Sequence, residues 1–229
     1  MDIKAFLFDL NGTMINDMEY HINAWHKLLN DLGAGISIER MKEECYGKNN
    51  ELLERIFPGR FSEEQKNKMS YEKEKAYQEA FRPQLKLVNG LEDFLKKAKN
   101  AGIKMAIGSA AIMFNIDFVV DGTNVRQYFD ALISADDVTL SKPEPETFLK
   151  AARQLDVPPN ECLVFEDSPK GVEAALNAGM KAIVITILHK PDEFKIFPNV
   201  IRFANDFTEL NDIMVSKYSL QQILSSKKI

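Results

Sequence analysis

Four short stretches of this chain gather residue types that could act on an anionic ligand. Asp9-Leu10-Asn11-Gly12-Thr13 puts a carboxylate, an amide and a hydroxyl within five residues. Gly108-Ser109-Ala110 adds a hydroxyl. Ser141-Lys142-Pro143-Glu144-Pro145 adds a lysine, and Glu166-Asp167-Ser168-Pro169-Lys170-Gly171 adds two adjacent carboxylates. Carboxylate oxygens suit a hard divalent cation. An ammonium meets phosphate as a point charge. A serine at the start of a helix, with the backbone N–H groups beside it, can bind an anion. Each stretch also has a plain structural reading: a turn at Asp9, an exposed lysine at Lys142, and helix N-caps at Ser109 and at the acidic pair before Pro169.

These stretches need a scaffold that brings them together. Apolar runs at Ile3–Phe8, Lys104–Ile107, Ala131–Ile133, Cys162–Phe165 and Ala182–Ile185 have the length and flanks of buried strands. Helical patterns lie between them at Leu91–Ala101, Ile112–Val120, Glu146–Leu155 and Pro169–Ala178. Gly102 and Gly179 supply left-handed helix stops. Alternation of this kind predicts an α/β fold with a parallel, Rossmann-like sheet. The four stretches then follow strand ends, where open parallel sheets bind ligands. The segment 16–83 breaks the rhythm with helical patterns at Tyr20–Leu32, Ser37–Cys45, Asn49–Phe57 and Ser62–Phe81. It reads as a helical domain inserted into a core made of 1–15 and 84–229. The tail, Leu210–Ile229, suggests one more helix and a basic end.

In order and spacing, the segments FDLNGT, GSA, SKPEP and FEDSPKG resemble the four motifs of the haloacid dehalogenase superfamily, in its β-phosphoglucomutase-like branch. The resemblance spans nearly the whole chain and implies that 16–83 is a cap domain. It implies Asp9 as a nucleophile that forms an aspartyl phosphate. Mg²⁺ is then held by the side chains of Asp9 and Asp167 and the backbone carbonyl of Asn11, with Glu166 acting through water. Lys142 neutralises Asp9 and a phosphate oxygen, while Ser109 and the backbone at Ala110 bind the phosphoryl group. His21 matches a histidine at the cap hinge, and Tyr20 and Trp25 are expected to pack between the domains.

Two departures limit the resemblance. The family has a second Asp where this chain has Asn11, and an amide cannot serve as a general acid or base. A natural sequence with weakened activity and a trapped variant of an active enzyme both fit; the intact remaining motifs favour the second. In the mutases a cap segment, Gly-x-Ser-Arg, holds the non-transferring phosphate. Here the matching run is Gly47-Lys48-Asn49-Asn50, and Lys48 lacks the bidentate fork of arginine. The mutases' Ser-x-Ser-Lys is replaced by Ser109-Ala110-Ala111-Ile112. The reading favoured is a phosphatase acting on a small phosphorylated metabolite. A β-phosphoglucomutase and an inactive phosphate-ligand binder are the alternatives.

Composition narrows the setting. The chain has 229 residues, 45% hydrophobic and 28% charged, which argues against disorder. A net charge of −5 disfavours nucleic acid as a partner. Cys45 and Cys162 stand far apart, without metal-ligand or redox spacing. No apolar run is long enough to span a bilayer, and the start lacks a secretory pattern. A cytoplasmic monomer is expected.

Overall fold

The structure, a computed structural model, describes residues 3–214. In chain order its strands and helices are β1 (Ala5–Phe8), α1 (Met18–Asp31), α2 (Ile38–Glu44), α3 (Asn49–Ile56), α4 (Glu63–Phe81), α5 (Leu91–Asn100), β2 (Lys104–Gly108), α6 (Met113–Gly122), β3 (Ala131–Ile133), α7 (Glu146–Gln154), β4 (Cys162–Glu166), α8 (Pro169–Asn177), β5 (Lys181–Ile185) and β6 (Val200–Ala204). The chain divides into two units, Met1–Asn16 with Lys86–Ile229, and Asp17–Leu85.

The first unit is built on a six-stranded sheet in the order β3-β2-β1-β4-β5-β6, with every neighbouring pair parallel. The chain adds β2 and β3 on one side of β1, then returns to add β4 to β6 on the other. Such a reversal opens a crevice at the carboxyl ends of the strands. Register sets what faces it. Phe8 pairs with both Ile107 and Phe165, so Asp9, Gly108 and Glu166 leave the sheet at one level.

Strand alternation sorts the core. Phe6, Phe8 and Phe165 share one face with Phe94 of α5 and Phe207, the Phe8 and Phe165 rings stacked 4.8 Å apart. Leu7 and Val164 belong to the opposite face, in one apolar cluster with Phe148 of α7 and Val172 of α8. Burying each large apolar side chain contributes about 1.5–3 kcal/mol, which makes the sheet a stiff platform for the loops at its edge.

The second unit is helical. Trp25 and Leu29 lie one turn apart on α1 and pack with Met41, Leu52 and Leu53 into a core of its own. Ser62 starts α4 through a reciprocal cap: its Oγ accepts from Gln65 N, and Gln65 Oε1 accepts from Ser62 N. Trp25, expected to pack between domains, is thus part of the helical unit's own core. Its i, i+4 relation to Leu29 is the pattern of an ordinary buried helix face.

The sequence did not foresee β6. Arg202 interrupts its apolar run and Phe203 is exposed, as suits a strand at the sheet edge. Of the tail Leu210–Ile229, where one more helix and a basic end are expected, the part up to residue 214 belongs to a 3-10 helical stretch, Phe207–Met214, and the remainder lies outside the described residues. Among the described residues no helix is long and apolar enough to cross a membrane.

Candidate active site

Each motif follows a strand whose pairing fixes where it ends. Asp9 continues β1, and its backbone N–H donates to Phe165 O at 2.9 Å. The chain then turns sharply, with Met14 N donating to Leu10 O and Gly12 N to Ile15 O, both at 2.8 Å. Asn11 pairs with Ile15 in an isolated bridge inside this turn. Gly12 has φ +82° and lies against the Asp167 carboxylate; a Cβ there would fall within 2.7 Å of Asp167 Cγ. Both the backbone conformation and the close approach demand glycine.

Lys142 joins two motifs by charge. Its Nζ donates to Asp9 Oδ1 at 2.6 Å and to Glu166 Oε1 at 2.7 Å, and all three side chains are buried. Burial works against the lysine's charge, but the charges of Asp9 and Glu166 outweigh it and hold Lys142 above the ordinary lysine range. The other oxygen of Glu166, Oε2, accepts from Asp167 N, Ser168 N and Ser168 Oγ at 2.9–3.0 Å. Ser168 in turn caps α8 through Gly171 N. Glu166 therefore anchors the lysine and the start of α8 together.

Asp167 is nearly as buried, and Thr13 Oγ1 donates to its Oδ1 at 3.2 Å. Burial first, then the charges of Glu166 and Asp9, push its carboxyl well above the usual range. Asp9, Glu166 and Asp167 each offer an oxygen, and these lie within 4.8 Å of one another. Their mutual repulsion, felt at Asp167, is what a cation would relieve. An all-oxygen donor set fits a hard divalent ion.

Ser109 is buried beyond the end of β2; its N–H donates to Ile133 O and its Oγ accepts from Ala111 N. This closes a local turn and not the helix cap expected of Ser109, because α6 begins at Met113 with Ile112 at its N-cap. Ala110 follows Ser109 in the same half-buried turn. Asp9, Asn11, Ser109, Ala110, Lys142, Glu166 and Asp167 all belong to the α/β unit.

His21 and Lys48 belong to the helical unit. Lys48 precedes α3, where its backbone N–H donates to Glu51 Oε2. His21 sits in a buried network that the sequence reading did not identify. Its Nε2 lies 3.2 Å from Asp17 Oδ2, its Nδ1 lies 2.8 Å from Lys73 Nζ, and its ring stacks on Tyr77. Tyr77 donates to Asp17 Oδ2, and Lys73 and Asn49 both donate to Glu74 Oε1. Asp17/His21 and Lys73/Tyr77 are each i, i+4 pairs, the signal that could have found them. Thr13, missed as well, gives no such signal, because its partner lies 154 residues away.

A family model described as haloacid dehalogenase-like hydrolase matches residues 6–185. Beta-phosphoglucomutase of Bacillus subtilis (strain 168) is 31% identical over 190 residues, 79% of this chain and 82% of that protein. Fructose-1-phosphate phosphatase YqaB of Escherichia coli (strain K12) is 27% identical over 188 residues, 80% of this chain and 97% of that one. The crystal structure of a family IA, variant 3 HAD hydrolase from Entamoeba histolytica HM-1:IMSS aligns with a TM-score of 0.83 and 27% identity, over 95% of this chain and 100% of the other.

Proposed function

Because the chain belongs to the haloacid dehalogenase-like hydrolases, we propose that it is a Mg²⁺-dependent phosphatase that works through an aspartyl phosphate at Asp9. The family comprises phosphatases and phosphotransferases of small phosphorylated metabolites, among them the fructose-1-phosphate phosphatase and β-phosphoglucomutase relatives. The observation that carries the reading is the buried Lys142 ammonium seated between Asp9 and Glu166. It supplies fixed positive charge beside the one carboxylate that continues the central strand.

Asp9 attacks phosphorus, and the substrate's P–O bond breaks. Lys142 offsets charge on the nucleophile and on a phosphoryl oxygen, while Ser109 Oγ and the backbone at Ala110 bind the remaining oxygens. Asp9, Asp167 and the Asn11 carbonyl would hold Mg²⁺, with Glu166 supporting it through water. The ion supplies Lewis-acid stabilisation of the transferring group. The mutase alternative has less support, because Asn50 stands where the mutases carry arginine and Ile112 where they carry the lysine of Ser-x-Ser-Lys. His21 and Lys48 belong to the cap in this reading. A cytoplasmic monomer remains the expected form.

The test is phosphate release from a panel of sugar phosphates, nucleotides, acetyl phosphate and pyrophosphate, with Mg²⁺ and with EDTA, by the chain and by Asp9→Asn and Asn11→Asp. Release that needs both Asp9 and Mg²⁺ supports the reading. Release that survives Asp9→Asn refutes it.

A further inference from the structure

We propose that the substrate's leaving oxygen belongs to an acid rather than to an alcohol, so that this chain acts on acyl phosphates or phosphoanhydrides and discriminates against sugar phosphate esters. The inference rests on the phosphoryl-transfer reading and names its substrate class.

It follows from the protons available beside Asp9. Asn11, two residues beyond the nucleophile in the same turn, carries an amide that has no proton to give near neutral pH. The Lys142 ammonium is committed to two carboxylates, at 2.6 and 2.7 Å. The Thr13 hydroxyl proton is turned to Asp167. Glu166 is surrounded by donors, accepting from Lys142, Asp167, and Ser168, and so acts as an acceptor. Asp167 accepts from Thr13 and is a cation ligand in this reading, which leaves it ionised rather than a proton donor. The described groups of the α/β unit around Asp9 therefore supply charge and hydrogen bonds, and none of them is arranged to protonate a departing oxygen.

The chemistry then depends on that oxygen. A sugar alkoxide is nearly as basic as hydroxide, and it departs slowly without a proton. A carboxylate, with a pKa of about 4, or a phosphate, whose second ionisation lies near neutral pH, departs far more readily unaided. Asp9 Oδ forms the new P–O bond, and the old P–O bond breaks with its electron pair on the carboxylate or phosphate oxygen. Water then attacks phosphorus and the P–Oδ bond returns its pair to Asp9. The water proton passes to the released phosphate. In this second step the leaving group is Asp9 itself, a carboxylate, so the same chain can complete the cycle.

The test compares kcat/KM, which reports the steps through loss of the leaving group, for acetyl phosphate, pyrophosphate, p-nitrophenyl phosphate and fructose 1-phosphate. The chain with Asn11 and Asn11→Asp are assayed side by side. In the chain with Asn11 kcat/KM falls steeply as the leaving group becomes more basic. Asn11→Asp raises the fructose 1-phosphate value by about 10²–10⁴ and leaves those for acetyl phosphate and pyrophosphate within about threefold. Acetyl phosphate against pyrophosphate separates the acyl from the anhydride source.

Equal values for ester and anhydride in the chain with Asn11 overturn the inference. So does a chain with Asn11 inert toward all four while Asn11→Asp turns them over, since that chain is a binder or a trapped variant. Inertness of both proteins toward all four instead defeats the phosphoryl-transfer reading itself.

One control is required by the sequence. In an Asn-Gly pair the glycine nitrogen can attack the side-chain carbonyl, expel ammonia and hydrolyse to Asp. Peptide mapping across Asn11-Gly12 must exclude deamidation in the sample that carries Asn11. The fold opposes this reaction, since Gly12 N–H donates to Ile15 O.

Discussion

Lys142 and Asp9, 133 residues apart in sequence, meet at 2.6 Å in a buried ion pair. Breaking it by removing one partner strands the other charge. Lys142→Met should lower kcat by about 10²–10³, as for loss of one electrostatic stabiliser. It should also cost about 3–5 kcal/mol of stability, because Asp9 and Glu166 lose their counter-ion. Steady-state kinetics and urea denaturation check the two effects separately. Unchanged values of both would mean that the pair is not formed in solution.

Gly171 gives a test whose sign is informative. It lies in the first turn of α8, where helix propensity alone favours alanine over glycine by about 0.8–1.0 kcal/mol. A Cβ at Gly171, however, would fall inside the Glu166 carboxylate. Gly171→Ala should therefore destabilise the chain by about 1–3 kcal/mol through the displaced Glu166 hydrogen bonds. A rise in Tm would show that Glu166 is not seated against this helix.

A cation should bind the carboxylate trio and stabilise the fold. At a hundred times its dissociation constant, Mg²⁺ should add about 2.7 kcal/mol, visible as a rise in Tm. Asp167→Asn removes both a ligand and a repelling charge. Its Tm without Mg²⁺ should match or exceed that of the parent chain, and its response to Mg²⁺ should vanish. An equal Mg²⁺-induced shift in both proteins would place the ion elsewhere.

Much of this was legible in the sequence. The five strands that the apolar runs marked are present, because runs buried on both faces declare themselves by composition. β6 was hidden, since an edge strand tolerates Arg202 and an exposed Phe203. The motif residues were legible one by one, whereas their partnerships were not. Nothing local says that Thr13 meets Asp167, or that Gly12 is required by a carboxylate from another strand end. His21 was legible as a position, but its buried neighbours Lys73, Glu74 and Tyr77 come from a helix more than fifty residues later.

The two thiols set an alkaline limit. Burial pushes Cys162 up to about 12 and Cys45 up to about 11, from an ordinary 9.0. The native chain thus keeps these protons where the unfolded chain loses them. Stability from this source is flat below pH 9 and falls as pH rises through the native values. At pH 8 a disulfide reagent should react slowly with the native chain and rapidly with two thiols in urea. Fast native reaction of Cys162 would contradict its burial.

The central claim is that Asp9 becomes phosphorylated, and the most direct measurement is to catch it. The chain is mixed with acetyl phosphate and Mg²⁺, quenched in acid within the first turnover and analysed by peptide mass. Without a second Asp to activate water, the aspartyl phosphate should accumulate. The predicted result is one phosphoryl group on the peptide that contains Asp9, absent in Asp9→Asn and with EDTA. Release of phosphate with Asp9 unmodified at every quench time, or a phosphoryl group on another residue, would contradict the account.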